Sequence, residues 1–280
     1  MSKIKMVIIF TVLALFVIWI YQTNVTVGTT HYKIESSRLP EAFNHFKIVS
    51  VSDLHNAKFG KDNGVIIRAV KEEKPDIIAI TGDLVDYSKT DIATAEALVK
   101  ELVKIAPCYY VTGNHEVWLG EKYNRLEKIL LDASVTVLRD KTVNLTENNQ
   151  TIQLAGLDDP DFSDRASYNQ QEILENTLAD MSLTDDYCVL LSHRPETFGA
   201  YVNKNIDLVL SGHAHGGQFR LPFIGGIIAP NQGFFPKYDA GTYTENNTTM
   251  IVSRGLGNSV IPVRFNNRPE IVSVELISVK

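Results

Sequence analysis

Five short apolar runs in this sequence each stop at an acid, an amide or a histidine. FKIVSVSD (46–53), DIIAITGD (76–83), CYYVTGNH (108–115), YCVLLSH (187–193) and IDLVLSGH (206–213) are rich in β-branched and aliphatic residues, and they read as buried strands. Helical patterns separate the first of them. One runs from about Asn63 to Lys74 and halts at Pro75; one is capped by Thr90 or Asp91 and continues through about Ile105; one covers 123–133. Strand-like VTVLRD and TIQLAGLDD follow, then a helix from about Gln170 to Met181, and the last 30 residues are again strand-rich. A βαβαβ start with mixed strands later predicts an α/β domain with two sheets packed between helices.

Ligands of open α/β sheets bind beyond the carboxyl ends of the strands. Those ends carry Asp53 and His55, Asp83, Asn114 and His115, His193, and His213 with His215, so that five of the seven histidines fall there. Asp53, Asp83 and Asn114 are 30 and 31 residues apart, one βα repeat each, as parallel neighbours should be. The side chains can therefore converge on one rim. Imidazole mixed with carboxylate suits Zn, Fe or Mn, whereas an all-oxygen site would suit Mg or Ca. Seven donors exceed one tetrahedral ion. They fit two ions about 3.5–4 Å apart sharing a carboxylate, a pair that makes hydroxide near neutral pH and clamps phosphoryl oxygens. Gly82, Gly113 and Gly212, beside the donors, give a phosphate room to approach. A single one of these residues is equally well read as a helix cap or a structural histidine; the ordered set is not.

The blocks Asp53-Leu-His55, Gly82-Asp83-Leu-Val-Asp86, Gly113-Asn114-His115-Glu116, His193 and Gly212-His213-Ala-His215 resemble the calcineurin-like metallophosphoesterases over roughly residues 45–280. The resemblance implies a four-layer α/β/β/α sandwich. It also implies that Asp53, His55 and His215 hold one divalent ion, that Asn114, His193 and His213 hold the other, and that Asp83 bridges both. By the same resemblance His115 stabilises or protonates the leaving oxygen, Glu116 orients that imidazole, and Asp86 supports a metal-binding histidine such as His55. GHAHGGQFRLPFIGG, VSRGLG and RFNNRPE are similar to a membrane-anchored subgroup of YkuE- and YaeI-type phosphodiesterases and related UDP-2,3-diacylglucosamine pyrophosphatases. The implied activity is a binuclear-metal phosphodiesterase or pyrophosphatase acting on a lipid-linked or cell-envelope substrate. The rival is a membrane-tethered binding scaffold with vestigial hydrolysis, and the complete donor set with His115 and Glu116 argues against it.

The N-terminus predicts the membrane. Lys3 and Lys5 precede 16 apolar residues, Met6 to Tyr21, which can span a ~30 Å hydrocarbon core if Gln22 to Val27 lie at the interface. Trp19 and Tyr21 fall where an aromatic belt would sit. A cleaved secretory signal is the rival, with Thr26-Val27-Gly28 a poor site. We expect an anchor over 1–24, a tether and lead-in strand over 25–44 and the catalytic domain over 45–280. The two lysines place the N-terminus in the cytoplasm and the domain outside the cell membrane. A net charge of −6, from 27 basic and 33 acidic residues, argues against a nucleic-acid partner.

Weaker signals complete the reading. Cys108 and Cys188, inside apolar strands, read as inert buried thiols. Sequons at Asn24, Asn144, Asn149, Asn246 and Asn247 are best explained by chance in an Asn-rich chain. Leu221–Pro230 is apolar, either a loop packed under the site or a greasy lip facing a membrane or lipid. Arg194 and Arg254 could meet phosphate but more simply form salt bridges, and Trp118 either flanks the pocket or packs half-buried.

Overall fold

A computed structural model describes residues 2–163, 169–258 and 260–279. The first half of the chain forms α1 (Lys3–Val25), β1 (Gly28–Ser36), β2 (Lys47–Val51), α2 (Gly64–Glu73), β3 (Ile77–Thr81), α3 (Ile92–Leu102), β4 (Cys108–Val111), α4 (Asn114–Trp118), α5 (Lys122–Asp132) and β5 (Thr136–Val137). The second half forms β6 (Lys141–Glu147), β7 (Gln150–Gly156), α6 (Gln170–Asp180), β8 (Cys188–Leu191), β9 (Leu208–Ser211), β10 (Arg220–Leu221), β11 (Gly225–Gly226), β12 (Ile228–Ala229), β13 (Gly233–Phe234), β14 (Gly241–Glu245), β15 (Thr248–Val252) and β16 (Glu270–Ser278). Two six-stranded sheets result, ordered β1-β16-β2-β3-β4-β5 and β14-β15-β9-β8-β7-β6. The central strands of each are parallel, in registers such as Ile78 opposite Cys108 and Leu191 opposite Leu210.

Side-chain alternation sorts the layers. Ile77 and Ala79 of β3 face the second sheet, meeting Leu154, Leu191 and Leu210, while Ile78 and Ile80 face Val70 of α2, Leu98 of α3 and Leu126 of α5. The outer face of the second sheet is covered by α6 and by Phe198 and Tyr201. Helix, sheet, sheet and helix thus stack in four layers. Each aliphatic side chain withdrawn from water in this way contributes about 1.5–3 kcal/mol.

Local chemistry sets the element ends. Asp91 caps α3 by accepting from the Thr94 N–H at 3.2 Å. That helix stops at Leu102, short of the expected Ile105, because the turn ahead of Pro107 tightens into i→i+3 bonds, such as Ile105 N–H to the Leu102 carbonyl at 2.9 Å. After β4 the chain turns at once into the short helix α4, so Asn114 and His115 are its first residues. β6 was not expected; its exposed, largely polar sequence carries little burial signal.

Helix α1 has 23 residues, none of them buried, and its length of about 35 Å suffices to cross a bilayer. Only Thr26 and Val27 separate it from β1, so most of the expected tether is strand, paired over nine residues with β16. The end of α1 is also docked. The Trp19 ring meets Phe265 edge-on at 5.6 Å, and the Asn24 carboxamide exchanges hydrogen bonds of 2.9 and 2.8 Å with the backbone of Arg264.

Candidate metal centre

The carboxyl ends of β2, β3, β4, β8 and β9 meet at one rim, and their loops hold unusual backbone there. Five of the seven expected metal ligands have left-handed φ: Asp53 (54°), His55 (46°), Asp83 (52°), His213 (65°) and His215 (48°). Such conformations cost of order 1–3 kcal/mol each and persist only where the surroundings enforce them. Here the loops brace one another. The Asp53 N–H donates to the Gly82 carbonyl at 3.1 Å, the His55 N–H to the Asp83 carbonyl at 3.0 Å, and the His213 N–H to the Asp53 carboxylate at 2.9 Å. Glycine permits the closest approaches: a β-carbon at Gly212 would run into the Ser52 hydroxyl and the Asp53 carboxylate.

All seven expected ligands are at most 6% exposed. Asp53, His55, Asp83 and His215 present donor atoms within 4.8 Å of one another, and so do Asp83, His193 and His213, with Asp83 common to both groups. The Asn114 carboxamide oxygen and the Nε2 atoms of His193 and His213 are buried without hydrogen-bond partners. His193 donates its Nδ1–H to the Thr81 carbonyl at 2.7 Å, which leaves Nε2, 3.2 Å from Asp83, as the coordinating nitrogen. The Nε2 atoms of His55 and His215 lie 3.2 Å apart.

Electrostatics fit the same use. Burial holds His55 and His215 down to about 3 and His213 well below the ordinary imidazole range, so these rings keep their lone pairs. Burial also opposes charge on Asp83, but His193 and His55 outweigh it and hold the carboxyl well below the usual range. At His193 burial is overcome by Asp83, which pushes the ring up to about 10. A proton there does the neutralising that a cation would do. Orphaned, buried, lone-pair-bearing donors around a shared carboxylate suit a pair of divalent cations.

The supporting role of Glu116 needs correction. Glu116, expected to orient His115, accepts backbone N–H bonds from Asp83 (2.8 Å), Leu84 (2.9 Å) and Gly113 (2.7 Å), tying the loop after β3 to the start of α4; burial pushes its carboxyl up to about 8. Asp86 stands beside His55 as expected, its carboxylate within 4.8 Å of a His55 ring nitrogen, and it also lies 3.6 Å from Nδ1 of His115. His115 Nδ1 also accepts from the Tyr87 N–H at 3.3 Å, so the neutral ring carries its proton on Nε2. His115 lines a cavity of about 240 Å³ together with Asp83, Asn114, His213 and His215.

Trp118 is both wall and packing partner. It lines that cavity and lies 5.1 Å from the His115 ring. Arg194 also lines it but is held by Asp159 at 2.7 and 2.8 Å and by Asp161 at 2.7 Å. Arg254 is engaged by Glu270. Both arginines thus sit in salt bridges. Three residues beside the site had no role assigned from the sequence, although Arg264 and Asn267 belong to the RFNNRPE block. Glu196 places Oε1 3.5 Å from His213 Nε2; buried Arg264 has a guanidinium nitrogen 3.4 Å from His215 Nδ1; Asn267 donates to the His215 carbonyl at 2.7 Å. The only signal for Glu196 was its place three residues after His193.

Donor chemistry and layer order define a metal-dependent phosphohydrolase, and the chain belongs to the calcineurin-like phosphoesterases, whose family profile matches residues 46–217. Among its relatives, the metallophosphoesterase YkuE of Bacillus subtilis (strain 168) is 35% identical over 267 residues, covering 90% of this chain and 86% of its own. Phosphodiesterase YaeI of Escherichia coli (strain K12) is 28% identical, covering 83% and 82%. A Bos taurus protein described as a transmembrane protein with metallophosphoesterase domain is 31% identical, covering 89% of this chain and 57% of its own. The crystal structure of TT1561 of Thermus thermophilus shares the fold, with a TM-score of 0.51 at 14% identity over 76% of this chain and 91% of that one.

Proposed function

We propose that the chain is a membrane-anchored phosphodiesterase or pyrophosphatase whose substrate carries its phosphate on a lipid. In this reading Asp53, His55 and His215 hold one cation, Asn114, His193 and His213 the other, and Asp83 both; the ions are Mn, Fe or Zn. Bound cations would supply an activated water and neutralise phosphoryl oxygens. The chain's own part is to exclude solvent around buried donors, to fix imidazole tautomers, and to present His115 to the departing oxygen. An alkoxide leaves poorly without help, and with Nδ1 accepting from Tyr87, the Nε2–H of His115 can donate a hydrogen bond to the departing oxygen.

The observation that carries the hydrolytic part is the pair of donor clusters joined through Asp83. The lipid part is supported by a second, apolar cavity of about 380 Å³ lined by Ile228, Ala229, Val260 and Ile261, which shares His215, Pro230, Asn231 and Val260 with the first. An acyl chain beside the reacting phosphate has a place to lie. Lys3 and Lys5, in the first turn of α1, favour a domain outside the cytoplasm.

The test uses full-length protein in detergent with Mn, Fe or Zn added, assayed on bis-p-nitrophenyl phosphate and then on envelope lipid extracts. Turnover that needs a divalent ion and disappears in Asp83→Asn supports hydrolysis. Absence of turnover with every ion, in folded protein, would favour the scaffold instead. Phosphorylated products released from lipid extracts by wild type but not by the variant identify the lipid substrate; their absence sinks that part alone.

A further inference from the structure

We infer that the two hairpins after the last histidine pair, with the loop at Val260, form a second membrane contact that lies against the bilayer entered by α1. The inference rests on the anchor reading above. Its first support is exposure: Phe223 is 109% exposed, Val260 92%, Phe234 73%, Phe235 65% and Ile224 59%. Large apolar side chains concentrated on adjacent tips mark an interaction surface, whereas single ones are ordinary.

Its second support is continuity with the anchor. Phe265, which packs on Trp19 and Phe16 of α1, forms a bridge with Phe219, and the Arg220 N–H donates to the Phe265 carbonyl at 2.9 Å. From there the ribbon continues: the Ile227 N–H donates to the Phe219 carbonyl, and the Phe235 N–H to the Ile227 carbonyl, both at 2.8 Å. A run of backbone bonds therefore leads from Phe265, on which the anchor's aromatic end packs, to the outer hairpin. Trp19 and Tyr21 sit at the depth where aromatic belts lie, so the run starts at the membrane interface.

The third support is charge. Residues 219–236 contain no acid, and their one basic residue, Arg220, is bound to Asp239 at 2.9 Å. Nothing charged is left on the tips to be desolvated on entering the headgroup layer. A lipid surface fits this face. The apolar cavity, lined by Ile228, Gly233 and Val260 of the same segments, then opens beside the bilayer, so that a lipid could reach His215 without crossing water.

The test is fluorescence of the full-length chain in phosphatidylcholine–phosphatidylglycerol vesicles. Cys108 and Cys188 are buried, with thiols pushed up to about 12, so an environment-sensitive probe goes selectively to an introduced cysteine. Probes are placed by Phe223→Cys and Phe234→Cys, by Leu13→Cys within α1, and by Lys128→Cys on the outer face of α5. We expect the probes at 223 and 234 to shift to the blue and to be quenched to roughly half by lipids spin-labelled near the headgroup, the depth of interfacial insertion. Blue-shifted probes insensitive to spin-labelled lipid would mean that a second copy covers the face, which overturns the inference. Probes at 223 and 234 that behave like the one at 128, with the probe at 13 quenched, overturn the inference while the anchor stands. A probe at 13 that stays in water removes the anchor and the inference together.

Discussion

The rim of the two sheets and the face beside α1 are opposite inversions of an ordinary soluble surface. At the rim, acids, an amide and imidazoles are buried, with the Asn114 oxygen and ring nitrogens of His55, His193 and His213 left unpaired. Beside the helix, phenylalanines and aliphatic residues stand in the open. A buried polar group without a partner and a clustered apolar group without cover are both expensive, and each is therefore informative. The first wants cations; the second wants hydrocarbon. Two deficits of different chemistry, joined by one cavity wall, give more than either alone.

The contrast can be broken most sharply at the rim. Asp83→Asn removes the charge common to both clusters and should cut turnover beyond about 10³-fold while metal per chain, measured by plasma emission, falls. Turnover that survived this change would dissolve the two-ion reading. His115→Ala should lower diester turnover by roughly 10²-fold with metal content unchanged; an equal loss of metal would make His115 a ligand. Asp86→Asn should cost about tenfold, because its carboxylate lies 3.6 Å from the His115 ring and within 4.8 Å of a ring nitrogen of His55. Metal kept in that variant would mean that Asp86 acts through His115; metal lost would mean that it acts through His55. The smallest effect belongs to the apolar face: Phe234→Ser should change thermal stability of detergent-solubilised protein by no more than about 0.5 kcal/mol. A clear fall in melting temperature would mean that the face packs on protein.

Much of the rim was legible in the sequence because parallel βα repeats place strand ends side by side, so residues 160 apart in the chain, such as Asp53 and His213, needed only regular spacing to be matched. The carboxylate facing His115 was not legible. Whether Glu116 or Asp86 faces His115 depends on how α4 starts and on the path of the loop after β3, and no periodicity encodes either. Glu196 was hidden because a residue in a short turn carries no pattern of its own. The stretch from Leu221 to Pro230 was read as a loop with two possible fates. Its apolar composition was plain, but only the bridge from Phe219 to Phe265 says which neighbour it has.

One feature of the first sheet bears on how the chain is made. β16 lies between β1 and β2, so among the described residues the strand that follows α1 pairs only with one some 240 residues later. During synthesis β1 must wait, one edge unsatisfied, until residues near 270 have left the ribosome, and the rim can close only after that. Loss of Glu270–Ser278 would therefore strand the amino-terminal segment as well, and proteolysis of arrested chains should release the two together.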